Sequence, residues 1–138
     1  MDWNTIVGVV IGGLFTLSGG GLQVFLTDRK RKEERRKEIK LEVLEGLIGN
    51  RAALLPVSDE RIEMYKAPFF SALNRIDVIF YDNLEVIEKY HEWKNAMVSS
   101  QHVSNERKDQ LLYEMIKSMY KDLGIKAPSL EQFKQTLY

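Results

Sequence analysis

Thr5 to Thr27 contains no charged residue, and the block "DRKRKEERRKEIK", Asp28 to Lys40, follows it at once. No other feature restricts the chain as much. Ile6 to Leu26 is 21 residues, which as a helix spans roughly 32 Å, against a bilayer hydrocarbon core of about 30 Å. A cleaved signal peptide would carry its basic residues ahead of the apolar run and end at a small-residue cleavage site. Here Met1 to Asn4 has no Lys or Arg, and the cations come after the run. The pattern predicts a single transmembrane helix, with a signal peptide or a buried soluble helix as the competing readings.

The basic block sets the expected orientation. Asp28 to Lys40 holds eight Lys/Arg against four Asp/Glu, a net of +4, whereas Leu41 to Tyr138 is net −3. Cations beside a span favour the cytoplasmic side. The expectation is therefore a single-pass protein of the bacterial inner membrane, N-terminus out, with its C-terminal domain in the cytoplasm. Trp3 would lie at the outer interface, and Arg29, Lys30, Arg31 and Lys32 would meet anionic lipid headgroups. The chain has no cysteine, which excludes disulfides, zinc–thiolate sites and thiol nucleophiles and suits a reducing compartment.

At 100° per residue, Thr5, Gly8, Gly12, Thr16, Gly19, Gln23 and Thr27 fall within about 100° of arc. Val7, Val10, Leu14, Leu17, Leu22 and Phe25 lie on the other side. Small residues let membrane helices approach closely, and Gln23 in hydrocarbon needs a polar partner that a second copy would supply. Gly8, Gly12, Thr16, Gly19 and Gln23 are thus the candidate self-association stripe. A water-lined pore is the narrower version, with Thr16, Gly19 and Gln23 facing it. Gly19-Gly20-Gly21 reads equally as part of a close-packing surface or as a hinge.

No helix breaker follows Thr27 until Gly46, so the span is expected to continue as a stalk. Ile39, Val43, Leu44, Leu47 and Ile48 then form a core-facing stripe that Pro56 ends. Ser58 or Asp59 caps the next helix, which Pro68 perturbs and in which Phe69, Leu73, Ile76 and Phe80 share a face, with Ala72 and Ile79 beside it. "YDN" closes it, with Asp82 and Glu85 as a capping box. Val86, Tyr90, Trp93 and Met97 predict a third helix. Leu112, Met115, Ile116, Met119 and Leu123 predict a fourth, capped by Ser104 or Asn105 and closed by Gly124. "SLEQ" opens a short terminal helix. The predicted fold class is all-α: an N-terminal transmembrane helix (1–27), a basic juxtamembrane stalk (28–40) and a small cytosolic helical bundle (41–138).

Chemistry is scarce. His91 and His102 share no metal-ligand spacing and read as surface histidines. There is no phosphate loop after a strand and no G-x-S-x-G. No catalytic set, metal site or cofactor is expected. The informative positions are polar residues that interrupt apolar faces: Asn50 and Arg51, then Asn74 and Asp77, which share a helix face three residues apart. Either an Arg51–Asp77 ion pair fixes two helices, or Asn50, Arg51, Asn74, Arg75, Asp77 and Tyr81 line a ligand pocket in which the arginine fork binds phosphate.

The segments "LEGLIGNRAALLP", "ALNRIDVIFYDN", "VIEKYHEWKNAM" and "LLYEMIKSMYKDLGI", in that order behind an apolar helix and a basic stalk, resemble a bacterial family of short single-pass membrane proteins with an uncharacterised helical cytosolic domain. The resemblance implies an Arg at the place of Arg51, an Asn at Asn74 and an aromatic pair at Phe80-Tyr81. In architecture alone, with no shared residue signature, the chain is also similar to CRISPR-associated membrane effectors. Those assemble as tetramers and bind cyclic oligoadenylate, so this likeness implies a homo-oligomer with a cyclic oligonucleotide ligand in antiviral defence.

Two functions follow as expectations. One is a ligand-gated membrane effector that self-associates and perturbs the bilayer. The other is a membrane-tethered adaptor that docks a protein through aromatics such as Tyr65, Phe69 or Trp93. Duplex nucleic acid is not an expected partner.

Overall fold

The computed structural model describes residues 3–55, 60–99 and 103–135; over 3–22, and at Arg61, it describes the backbone alone. Every regular element among the described residues is helical: α1 (Trp3–Gly49), a 3₁₀ turn (Arg51–Leu54), α2 (Glu60–Ile79), α3 (Leu84–Val98), α4 (Asn105–Asp122) and α5 (Leu130–Gln135). The chain divides into two compact units, Met1–Arg36 and Lys37–Tyr138.

The first unit is the N-terminal part of α1, which passes through Gly19, Gly20 and Gly21 without interruption. From Gln23 to Arg36 its side chains are exposed, the headgroup candidates Arg29, Lys30, Arg31 and Lys32 among them. Arg29 pairs with Glu33 one turn on, 3.5 Å away. Among the described residues no helix is long and apolar enough to cross a membrane. The span expected over Ile6–Leu26 falls mostly on residues whose side chains lie outside the described ones, as do Gly8, Gly12, Thr16 and Gly19 of the stripe. Gln23, the stripe's described member, is exposed, and its carbonyl accepts from the Thr27 hydroxyl at 2.8 Å.

The second unit is built by the apolar stripes of five helices. Val43, Leu44 and Leu47 of α1 meet Phe69, Ala72, Leu73 and Ile76 of α2, and Phe80 follows α2 into the same core. Val86, Tyr90 and Trp93 of α3, Leu111, Leu112, Met115, Ile116 and Met119 of α4, and Phe133 of α5 complete it. Full burial of such a side chain contributes roughly 1.5–3 kcal/mol. α3 and α4 run antiparallel, since Glu85 pairs with Lys121 (2.6 Å) and Lys89 with Glu114 (3.5 Å). Gly46 sits where α1 crosses α2; a Cβ there would lie 3.1 Å from that of Ala72.

The helix ends carry their expected chemistry, with one correction. The Ser104 hydroxyl accepts from the Arg107 amide. Ser129 and Gln132 exchange the two bonds of a capping box, at 2.9 and 3.2 Å. Gly124 takes φ +70°, and the bonds Gly124 N–H to Lys121 and Ile125 N–H to Tyr120 close α4 as a Schellman motif. Asp82 does not cap α3: Asn83 does, accepting from the Val86 amide at 3.2 Å, because Asp82 is bound to Lys40. Pro68 lies inside α2, which runs through it from Glu60 to Ile79. Met97 is not covered as its stripe implied and stays exposed. Ser58 and Asp59 lie outside the described residues.

Candidate ligand site beside Arg51

α1 stops because Gly49 and Asn50 weaken it, and the Asn50 amide donates back to the Gly46 carbonyl at 2.8 Å. The chain then tightens into the 3₁₀ turn, with Ala53 N–H bonded to Asn50 and Leu55 N–H to Ala52. This turn drives the next side chain inward, and Arg51 is only 5% exposed. Its guanidinium carbon lies 4.5 Å from the centroid of the Phe133 ring.

Phe133 is held from behind. The capping box fixes α5, the Tyr113 hydroxyl donates to the Pro128 carbonyl at 2.9 Å, and the Tyr113 and Phe133 rings stand 5.4 Å apart. An arginine placed over a ring face gains about 0.5–2 kcal/mol. Among the described residues no carboxylate pairs with it. Burial therefore pushes the guanidinium below its ordinary pKa, and the Tyr120 phenol opposes the shift. A buried cation without a counter-ion is costly unless something else supplies the negative charge.

Arg51 lines a cavity of about 320 Å³. Its apolar lining is Leu54, Leu55, Trp93, Met97, Leu112 and Phe133, and the first turns of α4 add Asn105, Lys108 and Asp109. Asn105 and Asp109 are exposed and Lys108 half-buried, so these polar groups stand where the cavity meets solvent. Trp93 is fixed by an edge-on contact with Phe69, centroids 6.4 Å apart.

Of the six sequence-predicted pocket residues, Arg51 alone lines this cavity. Asn50 is spent on the end of α1. Asn74 is exposed on α2. Arg75 donates to Glu42 at 2.8 Å and holds that carboxyl below its usual range. Tyr81 is 69% exposed. The expected Arg51–Asp77 ion pair does not form: Asp77 lies 3.2 Å from His91 on the surface. Residues three apart on α2 share a face, but Arg51 packs toward α5 rather than toward that face. Spacing puts Trp93 and Met97 on an apolar stripe, with Trp93 also a candidate docking aromatic, and does not single out Phe133, Lys108 or Asp109; the signal for Phe133 is a lone aromatic in the segment that "SLEQ" opens.

A second polar cluster was also missed. Lys40, read as the end of the stalk, is buried. Its ammonium donates to Asp122 (2.8 Å) and to both oxygens of Asp82 (2.9 and 3.1 Å), 5.2 Å from the Phe80 ring centre. The Asn83 amide donates to the other oxygen of Asp122 at 2.7 Å. Burial works against the charge of Lys40, but the bonds to Asp122 and Asp82 outweigh it and raise its pKa. This cluster is saturated and ties α1, the α2–α3 turn and the end of α4 together.

Among the described residues no three His, Asp or Glu form a metal-ligating group. His102 lies outside the described residues. The model of a family described as "Family of unknown function (DUF6680)" matches residues 1–138. No curated protein and no solved structure matches the chain.

Proposed function

Because the chain belongs, over residues 1–138, to a family of unknown function (DUF6680), its role has to be argued from its own residues, and we propose that it is a membrane-anchored, self-associating sensor of an anionic ligand. The observation that carries this reading is Arg51: a 95% buried cation, without a carboxylate partner among the described residues, on the wall of a cavity. A fold that needed only stability would fill that position with an apolar side chain. Arg51 also follows the last residue of α1 by two positions, and α1 is the helix that carries the uncharged N-terminal run.

In this reading Ile6–Leu26 crosses the bacterial inner membrane, the N-terminus is outside and the helical domain is cytoplasmic. Copies meet through Gly8, Gly12, Thr16, Gly19 and Gln23. Ligand bound at Arg51 changes how the end of α1 is held, and the helix conveys that change to the bilayer. A cyclic oligonucleotide in antiphage defence is the specific signal that the architectural likeness suggests.

The test replaces Ile6–Leu26 by a poly-leucine span of the same length. On overproduction with a potential-sensitive dye, the wild type depolarises cells; the replacement still sediments with membranes but does not. Equal depolarisation by both would reduce the span to an anchor.

That outcome would favour the second reading, a membrane-tethered adaptor. Its docking surface is not the one expected from sequence, because Phe69 and Trp93 are buried and Tyr65 is half-buried. Met64, Phe70 and Val78 on α2, 67%, 50% and 69% exposed, are the apolar side chains that favour it.

A further inference from the structure

We infer that the Arg51 cavity takes a compact amphipathic monoanion: one carboxylate on an apolar or aromatic body. The inference rests on the sensor reading above and puts a different ligand in place of the cyclic oligonucleotide that the architectural likeness suggests.

Charge decides first. The buried wall offers a single cation, Arg51. Toward solvent Lys108 is accompanied by Asp109, one residue on, so the lining as a whole is near +1. One anionic group on the ligand is matched; a second would meet Asp109 and find no further buried cation. A cyclic oligonucleotide carries a phosphate for every nucleotide and would leave most of them unmatched.

Charge also decides which anion, because near neutrality a phosphate monoester carries about −1.5 to −2 and exceeds the single buried cation, whereas a carboxylate matches it. The Arg51 guanidinium carbon lies 4.5 Å from the centre of the Phe133 ring. A guanidinium carries parallel N–H donors that a planar carboxylate accepts as a bidentate pair. The body of the ligand follows from the rest of the lining. Leu54, Leu55, Trp93, Met97 and Leu112 present carbon surface, and Phe69 stands edge-on to Trp93 with the ring centres 6.4 Å apart. The volume, about 320 Å³, lies at the low end of ligand pockets, which run from about 300 to 1,000 Å³. It admits a single ring with a short chain. Binding would supply the negative charge that Arg51 lacks among the described residues, so charge on the ligand should be worth more here than at a surface arginine.

The experiment titrates the full chain in lipid nanodiscs by calorimetry, with empty nanodiscs subtracted. The probes are 4-phenylbutanoate, its uncharged twin 4-phenylbutan-1-ol, inorganic phosphate and cyclic tetra-adenylate. The wild type should bind the carboxylate about tenfold more tightly than the alcohol. Arg51→Met, which keeps the volume and removes the charge, should bind both alike. Its retained affinity for the alcohol reports that the cavity is intact. Arg51→Lys should keep part of the preference and answers the question if the methionine variant does not fold.

Binding of cyclic tetra-adenylate or phosphate in an Arg51-dependent way, without binding of the carboxylate, would overturn the monoanion class and leave the sensor reading standing. Absence of binding by all four probes would overturn both. So would equal affinity for acid and alcohol in the wild type.

Discussion

Arg51 and Lys40 are the two buried cations among the described residues, and their surroundings are opposite. Lys40 has two carboxylates and an aromatic face; Arg51 has an aromatic face and no carboxylate among the described residues. Mutation should separate them. Lys40→Met should destabilise the domain by about 2–3 kcal/mol, because it strands Asp122 and Asp82 beside each other, partly buried. The pKa of Lys40 is raised, so its contribution is fully present below the unfolded value of about 10.4 and is lost as pH rises through the higher folded value. The gap between wild type and Lys40→Met in urea unfolding should therefore stay constant from neutrality to about pH 10 and narrow above it. Arg51→Met should act in the other direction without ligand, leaving stability unchanged or raising it by about 1 kcal/mol, read as a higher thermal midpoint. A large loss there would mean that the guanidinium serves the fold and not a ligand.

At the scale of the helix, Gly46 and Gly124 test two different reasons for a glycine. Gly46 permits a close crossing, so Gly46→Leu should cost about 1–3 kcal/mol by overpacking against Ala72, and Ala72→Gly should restore part of it. Gly124 supplies a left-handed residue in open space; Gly124→Ala should cost about 1 kcal/mol and Gly124→Asn less, both measurable by urea unfolding. The capping box of α5 and the Ser104 cap of α4 were legible in advance, since a local pattern of hydrogen-bonding side chains acts on its own backbone. The cap of α3 was not. "YDN" offered two equivalent acceptors, Asp82 and Asn83, and the choice between them was made by Lys40, forty-two residues upstream, which takes Asp82.

For the whole molecule, the proposal predicts that the intact chain resists carbonate extraction from vesicles and runs in detergent as a multiple of its 16.0 kDa mass. A monomer would end the self-association part of the reading. The periodicity of apolar residues was sufficient for the all-helical class and for nearly all of the core, because burying a stripe every three to four residues is a property of each helix separately. Phe69, Leu73, Ile76, Met115, Ile116 and Met119 could all be named from spacing alone. The sequence also singled out Arg51, a cation at the end of an apolar stripe. Its surroundings belonged to the tertiary structure. Whether that arginine meets Asp77, Phe133 or a cavity depends on how the 3₁₀ turn aims it and on where α5 returns, eighty-two residues later, and neither leaves a periodic trace. Contacts of that kind are made between helices whose individual patterns are already satisfied, so only their packing decides which polar groups are paired and which line a cavity.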